Sequence, residues 1–295
     1  MAMPLRTPAL EESLPLLIDR MLQESVSQVE PASLREILTE AVAGGKRIRP
    51  VLTALACEAA GGDDKDAVIA GAALELLHVS SLVHDDIMDN APTRRGRSTV
   101  VAKHGVGVAI LAGDALVALS FRLIQSLSSA RKAEVQQTLT SAFLGLCEGQ
   151  YADICSETAA AGDPYSHYWM VERKTARLLE ACTRTGAVLA GAAPKTVQAL
   201  GKFGLSLGLA YQAMDDLLDV IGTAEQTGKT VGLDATNGRR TYLSLAGSTM
   251  DRAQQIHAMV EGYTNEACAA LDVVPFSPAR SRLHELAHGL VHRRS

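Results

Sequence analysis

Apolar residues recur at spacings of three and four positions along most of this 295-residue chain. Such spacing aligns them in one stripe on an α-helix, which completes a turn in about 3.6 residues. The predicted helices cover 33–43, 68–91, 107–126, 133–154, 167–191, 197–221 and 250–271. No stretch alternates convincingly between apolar and polar positions, as the residues of a half-buried strand do. The pattern therefore predicts an all-α fold.

The helical pattern is interrupted by short segments that contain glycine, proline and charged residues. These breaks cover 60–66, 91–97, 159–166, 222–240 and 272–281. None is long enough, or biased enough in composition, to be a linker between domains. We therefore predict one helical domain over residues 1–295.

Composition and charge narrow the class of protein. Hydrophobic residues make up 47% of the chain, which is ample for a large buried core. The formal net charge of −5, from 28 basic and 33 acidic side chains, lacks the basic excess of a nucleic-acid binder. The five cysteines form no CxxC pair, which is typical of reduced cysteines in a cytosolic protein.

Two apolar stretches, one near the N-terminus and one at 106–121, have the composition in which a targeting segment or a membrane span would be sought. Glu11, Glu12 and Asp19 interrupt the first stretch, and Asp114 interrupts the second. Neither pattern is typical of a signal peptide or a membrane span. We therefore expect a soluble, cytoplasmic protein with no membrane span.

Two identical acidic motifs of the form DDxxD carry the first chemical signal. They consist of Asp85, Asp86 and Asp89, and of Asp215, Asp216 and Asp219. Each lies near the C-terminal end of a predicted helix, where mutual repulsion and the helix dipole both disfavour carboxylates. Mg²⁺ would offset this cost, because it prefers oxygen ligands and is commonly held by carboxylates together with substrate phosphates. Two facing clusters would hold a diphosphate through shared ions, whereas two ordinary acidic helix ends are the alternative.

Basic residues lie close to the first acidic motif, where they could bind a second anion besides the diphosphate held through Mg²⁺. They are Lys46, Arg49, His78, Arg94 and Arg95. The first two directly precede a predicted helix, His78 lies two helical turns before the first acidic motif, and the last two follow that motif. Arginine binds diphosphate oxygens through paired hydrogen bonds and keeps its charge. Taken singly, each basic run is more often a solvated surface, but beside the carboxylates an anion-binding role is favoured.

A series of motifs in fixed order resembles the trans-isoprenyl diphosphate synthases, the polyprenyl synthetase family, over roughly residues 40–245. The motifs are GGKRIRP at 44–50, LLHVSSLVHDDIMD at 76–89, RRG at 94–96, LAGDAL at 111–116, GQYAD at 149–153, KTARL at 174–178, YQAMDDLLD at 211–219 and GKTVGLDATNGRRT at 228–241. The family fold is a helical bundle around a deep central cavity, and its members are usually homodimers. The resemblance therefore implies a single-domain bundle of this type, the isoprenoid synthase fold, and a homodimer.

The resemblance also implies a role for each matching residue. Isopentenyl diphosphate would be bound by Lys46, Arg49, His78 and Arg95. About three Mg²⁺ ions would be coordinated by Asp85, Asp89 and Asp215, with support from Asp86, Asp216 and Asp219. The allylic diphosphate would be bound by Arg94, Lys174, Lys229 and Arg239, the last of which replaces a common lysine. Carbocation stabilisation or proton transfer would involve Thr175 and Gln212, and the metal site would be supported by Gln150 and Asp153.

The implied reaction is the Mg²⁺-dependent condensation of isopentenyl diphosphate with dimethylallyl, geranyl or farnesyl diphosphate. Positive charge would stabilise the departing diphosphate as the allylic bond ionises. The π-bond of isopentenyl diphosphate would then attack the allylic cation, and a proton would be lost. A dry apolar cavity would protect the cation from water.

Three other functions share some of these sequence features. A terpene cyclase shares the fold and one acidic motif, but typically lacks the set Lys46, Arg49 and His78. A non-catalytic subunit of a heteromeric synthase typically loses aspartates, whereas both motifs are intact here. The segment from His284 to His288 has the HExxH spacing of a zinc hydrolase, but no room remains for a downstream glutamate ligand. We therefore predict that this segment is an ordinary C-terminal helix.

The sequence also bears on the length of the product. Ser80 and Ser81, one turn before the first acidic motif, are small and leave room for a growing chain. This favours geranylgeranyl diphosphate as the product, with farnesyl or longer polyprenyl diphosphates as alternatives. A deeper end of the cavity would be formed by Leu77, Ala115, Ala118 or Phe121.

Overall fold

A computed structural model of the chain describes residues 8–155, 164–221 and 249–291. These residues are almost entirely helical, which confirms the all-α prediction. Their contacts divide the chain into two compact units, one of Met1–Ala54 with Asp63–Gln136 and one of Leu55–Gly62 with Gln137–Ser295. Each unit has its own buried apolar core, and the single domain stays a prediction.

The first unit is built around one central helix. Its helices are α1 (Pro8–Val26), α2 (Ala32–Ala41), the beginning of α3 (Ile48–Ala59), α4 (Asp64–Met88), α5 (Val100–His104), α6 (Val106–Gln125) and the beginning of α7 (Lys132–Cys155). Helix α4 packs along α6 and also contacts α1 and α5. It is apolar on nearly all sides because neighbouring helices surround it. Asp63 caps its first turn by accepting a hydrogen bond from the Lys65 amide at 2.8 Å.

Small residues allow α4 and α6 to approach closely. Gly113 faces the ring of His84, and a Cβ atom at this position would lie 2.1 Å from His84 Nε2. The Ser120 hydroxyl donates to the Ala73 carbonyl oxygen at 2.8 Å. This contact fixes the register of the two helices and so the position of the acidic motif at the end of α4.

A short hairpin follows α4, where the sequence predicted only a break. Strands β1 (Thr93–Arg94) and β2 (Arg97–Ser98) pair antiparallel. The two turn residues, Arg95 and Gly96, have φ angles of 51° and 74°. Two such angles in succession make a type I′ turn, which suits the twist of a two-residue hairpin. The hairpin therefore holds Arg94 and Arg95 next to the acidic motif.

The second unit is built around a long helix of its own. It contains the rest of α3 and α7, α8 (Pro164–Val171), a π-helical turn (Glu172–Ala176), α9 (Arg177–Leu189), α10 (Pro194–Ile221), α11 (Thr249–Ala270), a short 3₁₀ helix (Leu271–Val273) and α12 (Pro278–Val291). Helix α10 packs against α9 and α11. Ala213, Met214 and Leu217 of α10 form a core cluster with Ile256 and Val260 of α11.

The π-helical turn is clamped between two glycines. A Cβ atom on Gly149 of α7 would lie 2.5 Å from the backbone nitrogen of Lys174. On α10, a Cβ atom on Gly208 would lie 2.5 Å from the Cα atom of Ala176. The sequence predicted an uninterrupted helix over 167–191, which was wrong at this turn. The extra residue of a π turn redirects the side chains that follow it, and such turns are frequent at functional sites.

Two described helices are long and apolar enough to cross a membrane by length and composition alone, Lys65–Met88 and Val106–Gln125. The most apolar stretch of the first is 78% buried in the protein and that of the second 39%. The first is therefore a core helix, and the second is the helix that packs along it.

Candidate active site

The first acidic motif lies at the C-terminal end of α4, as predicted. Asp85 is half-buried and Asp89, the residue that caps the helix, is exposed. Asp86 is only 5% exposed and accepts a hydrogen bond from Arg94 Nε at 2.7 Å. Burial raises the pKa of Asp86, although the Arg94 guanidinium opposes this shift. Met88, between the aspartates of this motif, is exposed.

A cavity of about 290 Å³ lies in the first unit beside this motif. The functional side chains on its wall are His78, Asp86, Arg94 and Arg95. The loop before α3 also lines it through Gly44 and Gly45, both with positive φ. A Cβ atom on Gly45 would lie 3.2 Å from Arg95 Nη1, so a side chain there would crowd this guanidinium. The glycine loop thus leaves space around the arginine of the hairpin.

Two of the arginines around the cavity are neutralised by carboxylates. Arg47 is buried and bonded to Asp19 at 2.7 Å, to Glu75 at 3.3 Å and to the Val42 carbonyl. Arg94 is paired with Asp86. The sequence did not single out Arg47, whose role in the structure is to hold the loop before α3 onto α1 and α4.

Arg49 and Arg95 differ from Arg47 and Arg94 in their ion pairing. Within the described residues, Arg49 and Arg95 form no ion pair, and the buried Nε of Arg49 has no hydrogen-bond partner. Arg95 takes up a left-handed backbone conformation, which is costly for a residue with a Cβ atom. Lys46 is exposed on the loop before α3, and Arg49 lies in the first turn of that helix. Arg49 is half-buried and Arg95 is exposed, and a guanidinium without an ion pair is a ready ligand for a phosphate oxygen.

His78 lies among these arginines. Burial lowers its pKa well below the ordinary value, and the positive charges of Arg49, Arg95, Arg94 and Arg47 lower it further. The ring is therefore neutral at pH 7 and serves as a hydrogen-bonding group rather than a cation. Of the five basic residues that the sequence placed near the first motif, the structure thus brings together His78, Arg49, Arg94 and Arg95. Lys46 and Arg49 are not among the residues that line the cavity.

The second unit gathers the other predicted residues around the π-helical turn. Lys174 Nζ is 2.7 Å from Asp153 Oδ2. The Thr175 hydroxyl donates to Gln212 Oε1 at 3.0 Å, and Gln212 Nε2 donates to Asp216 Oδ1 at 2.9 Å. Donors and acceptors alternate along this series of hydrogen bonds, so the orientation of the Gln212 amide is fixed at both ends.

The second acidic motif lies near the C-terminal end of α10. Asp215 is half-buried, and Asp216 is 5% exposed with the Gln212 amide on one oxygen. The side chain of Asp219 lies outside the described residues, as do Lys229 and Arg239 in their entirety. The roles of these three residues stay predictions.

His167 of α8 was not singled out from the sequence. Its Nε2 is 3.8 Å from Asp216 Oδ2, and the ring is buried. Gln150, which was predicted to support the metal site, is also buried. No spacing rule connects His167 to Asp216, because the π turn and the fold of the second unit bring them together.

The donor set of the two motifs fits a hard cation. All the donors that the motifs offer are carboxylate oxygens, and Mg²⁺ prefers oxygen ligands over nitrogen or sulphur. Half-buried Asp85 and Asp215 and exposed Asp89 leave the carboxylates accessible to an ion that keeps part of its water. The residues that would hold it are those predicted from the sequence.

Helical units that carry DDxxD carboxylates and unpaired arginines define a prenyltransferase of the trans-isoprenyl diphosphate synthase class. A family model described as polyprenyl synthetase matches residues 31–273. The short chain isoprenyl diphosphate synthase of Methanothermobacter thermautotrophicus is 35% identical over 277 residues, which cover 92% of this chain and 85% of that protein. The chain belongs to the polyprenyl synthetase family.

Further relatives agree in sequence and in fold. Geranylgeranyl pyrophosphate synthase 3, chloroplastic, of Arabidopsis thaliana is 35% identical, and the match covers 88% of this chain and 75% of that protein. The crystal structure of geranylgeranyl pyrophosphate synthetase from Pyrococcus horikoshii superimposes with a TM-score of 0.88 at 31% identity, covering 97% of this chain and 99% of that one. The predicted family, enzyme class and all-α isoprenoid synthase fold are confirmed.

Proposed function

We propose that this chain condenses isopentenyl diphosphate with an allylic diphosphate in a Mg²⁺-dependent reaction whose main product is geranylgeranyl diphosphate. The observation that carries the proposal is that Arg49 and Arg95, beside a neutral His78, form no ion pair with any residue that the structure describes. The buried Nε of Arg49 has no hydrogen-bond partner, a state that is costly unless an anion or water binds it. The diphosphate of isopentenyl diphosphate is an anion of suitable size and charge for the 290 Å³ cavity that Arg95 and His78 line.

The residues of the second unit would act on the allylic substrate. Lys174, held at the π turn by Asp153, would bind the allylic diphosphate together with Arg94 and the cations of the 228–241 segment. The Thr175 hydroxyl and the Gln212 amide form a fixed row of dipoles whose oxygen atoms would stabilise positive charge on the allylic fragment. Mg²⁺, when bound to the carboxylates, would supply positive charge to the departing diphosphate.

The electrons and protons of the reaction balance without a further reagent. The allylic C–O bond breaks and its electron pair leaves with the diphosphate. The π electrons of isopentenyl diphosphate form the new C–C bond, and one proton is lost, with the released diphosphate as its acceptor. The task of the protein is to bind both diphosphates, to orient the fragments and to exclude water.

The proposed product follows from the relatives and from the small residues on α4. Relatives named geranylgeranyl pyrophosphate synthases cover most of this chain at about the same identity, for example 38% over 242 residues in one Arabidopsis thaliana protein. Ser80 and Ser81 are buried on α4, about one turn before Asp85, and neither contributes an aromatic ring there. Both observations support a product of geranylgeranyl length.

One coupled assay tests the proposal. Diphosphate release is measured with isopentenyl diphosphate alone, with an allylic primer alone and with both, and the product is measured by mass spectrometry. Release that requires both substrates and Mg²⁺, with geranylgeranyl diphosphate as product, is the expected result. Release from the primer alone would indicate a terpene cyclase, and no release under any condition would indicate a non-catalytic subunit.

We further propose a homodimer in the cytoplasm. Val106 and Ile110 of α6 are exposed and lie one turn apart on one helix face, and the adjacent Leu111 is also exposed. An apolar face of this kind supports burial against a second copy of the chain. Sedimentation equilibrium tests the oligomeric state, and a monomer across the micromolar range would contradict the proposal.

A further inference from the structure

Three soft or borderline metal-binding side chains meet at the junction of α11 and α12, where none of the residues assigned above to the prenyltransferase reaction lies. Cys268 comes from α11, and His284 and His288 come from α12. The ligand atoms of all three lie within 4.8 Å of one another. The two histidines are four positions apart and therefore lie on the same face of their helix.

The distances suit a tetrahedral metal ion. Cys268 Sγ and His288 Nε2 are 3.6 Å apart. Ligands at the usual Zn–S and Zn–N distances, about 2.3 and 2.0 Å, and at tetrahedral angles would be separated by about 3.5 Å. The ring centroids of His284 and His288 are 5.7 Å apart with an interplanar angle of 25°, so both rings are turned toward the same side. Only small side-chain rotations would place three donors around one ion.

Core packing holds the two helices in this position. Ala279, Leu283 and Ala287 form a fully buried stripe on α12, and the two histidines occupy the positions directly after the last two of these residues. Cys268 is buried at the end of α11, whereas His284 is half-buried and His288 is exposed. The ligands therefore lie at the rim of the core, on a rigid backbone and within reach of solvent. Such preorganisation distinguishes a binding site from a chance group of flexible side chains.

A simple hydrogen bond accounts for only part of this arrangement. The Cys268 thiol can bond to His288, but this contact gives no reason for a second imidazole at the same sulphur atom. Burial, and then the charge of Asp272, raise the pKa of Cys268. Metal binding would therefore release the thiol proton to the buffer.

We propose that Cys268, His284 and His288 form a site for a borderline-soft divalent transition metal ion, Zn²⁺ by its chemistry, that links α11 to α12. Sulphur and imidazole donors select Zn²⁺ over Mg²⁺, so this site and the carboxylates of the DDxxD motifs take different ions. Three protein donors leave a fourth position for water or another ligand. The site is independent of the proposed reaction, and its role is to fasten α12 to the core of the second unit.

The test uses the full-length protein, freed of metal with a chelator and kept in excess Mg²⁺ so that the carboxylates are saturated. Titration with Zn²⁺ is followed by calorimetry, and titration with Co²⁺ by absorption. We expect one Zn²⁺ per chain and a thiolate-to-cobalt charge-transfer band in the near ultraviolet. Zn²⁺ at about a hundredfold above its Kd should raise the Tm by about 5 °C.

Substitutions test whether the metal ion binds at this site and not at other thiols and imidazoles of the protein. Cys268→Ser should abolish the cobalt band, and His284→Ala or His288→Ala should weaken Zn²⁺ binding by at least about 100-fold. Cys147→Ser, at an exposed thiol, and His257→Ala, at an exposed histidine of α11, are matched controls that should change neither. If Cys268→Ser does not fold, the exposed His288 provides the test by itself, with circular dichroism as the check on folding.

Two results would overturn the proposal. One is a wild-type protein that takes up no Zn²⁺ while Mg²⁺ is present. The other is Zn²⁺ binding that stays within about threefold of wild type in folded His288→Ala, because the ion would then be held elsewhere.

Discussion

Arg49 and Arg95 lie beside two arginines that already have carboxylate partners, and this difference predicts unequal effects of substitution. Arg49→Ala or Arg95→Ala should raise the KM for isopentenyl diphosphate by about 10- to 100-fold, the value of a charged hydrogen bond, with little change in the KM for the primer. Steady-state kinetics with each substrate varied in turn measure the effect. Arg131→Ala, at an exposed arginine paired with Glu134, is the control. An increase confined to the primer would reverse the assignment.

His78 gives the stability of the protein a defined dependence on pH. Its pKa is lowered in the folded protein, first by burial and then by four arginines, whereas an unfolded histidine titrates near about 6.5. Below about pH 6.5 the unfolded chain therefore binds a proton that the folded chain does not. The free energy of unfolding should fall by up to about 1.4 kcal/mol per pH unit from this residue.

Urea unfolding at about pH 7, 6 and 5 measures this contribution. His78→Gln should flatten the profile over this range, because glutamine has no proton to gain. His257→Gln, at an exposed position on α11, should leave the slope unchanged. Equal slopes for wild type and His78→Gln would show that His78 is not held neutral by its surroundings.

At the scale of elements, the π-helical turn depends on Gly149. A methyl group there would lie 2.5 Å from the backbone nitrogen of Lys174, whereas one on Gly145, a turn earlier on α7, would only touch Arg177 Cγ at 4.0 Å. Gly149→Ala should therefore destabilise the protein by about 1–3 kcal/mol and lower kcat, since Lys174 and Thr175 are displaced. Gly145→Ala should be neutral or stabilise by up to about 1 kcal/mol, because alanine favours the helix. Thermal unfolding and kcat measurements on the two variants test this prediction. Equal effects of the two substitutions would mean that the close approach of Gly149 to the backbone of Lys174 is not needed.

Side chains on α4 are expected to influence the length of the product. Ser81 lies three positions after His78 and four before Asp85, so it is on the same helix face, about one turn of ~5.4 Å from the carboxylate. Ser81→Phe or Ser80→Phe should shorten the main product to farnesyl or geranyl diphosphate, because a packed wall cannot accommodate a ring without strain. Phe121→Ala should lengthen it if that half-buried ring ends the cavity.

Product analysis by mass spectrometry provides the measurement, with Ser81→Ala as the size-matched control that should leave the product unchanged. The Mg²⁺ requirement should be the same in all variants. An unchanged product in Ser81→Phe would mean that the growing chain passes along another helix face.

The presence of most helices and their approximate limits were predictable from the sequence. The contacts that allow these helices to pack closely were not. The helices predicted over 68–91 and 197–221 are α4 and α10, and both acidic motifs lie at their C-terminal ends as expected. Helix α1 was missed because Pro15, inside it, breaks the apparent pattern, and the helix expected after Arg49 begins slightly earlier, at Ile48, as α3. The π turn was missed because it depends on contacts of Gly149 and Gly208 with distant residues, which no local pattern records.

Across the whole molecule, the sequence identified the residues of the site, but not which of them form ion pairs or which are neutral. The motifs placed Arg94 and Arg95 side by side, yet only the structure shows that the first is paired with Asp86 and that, within the described residues, the second has no ion pair. The neutral state of His78 likewise results from burial and surrounding charge, which spacing cannot reveal. The motifs therefore identify the family, whereas the difference between neighbouring residues depends on their burial and ion pairing.

The most demanding prediction concerns both acidic motifs together. Asp85→Ala or Asp215→Ala should each lower kcat by about 10³-fold, corresponding to about 4 kcal/mol of transition-state stabilisation, because each removes an oxygen ligand of Mg²⁺. The double variant should lose little more than either single variant if both serve the same ionisation step, since residues that act as a unit are not additive. Chelation of divalent ions should abolish activity in the wild type.

The matched control is Asp66→Ala, which removes a carboxylate from the opposite end of α4, where Asp66 bonds to Ser128. This variant should keep kcat within about threefold of wild type, since its carboxylate holds no metal. Kinetics at saturating concentrations of both substrates, over a series of Mg²⁺ concentrations, distinguish loss of a ligand from loss of folding. A single motif variant that retains more than a tenth of wild-type turnover would rule out the requirement for both motifs. Multiplicative losses in the double variant would mean that the motifs act on separate steps, with one binding a substrate and only the other promoting ionisation.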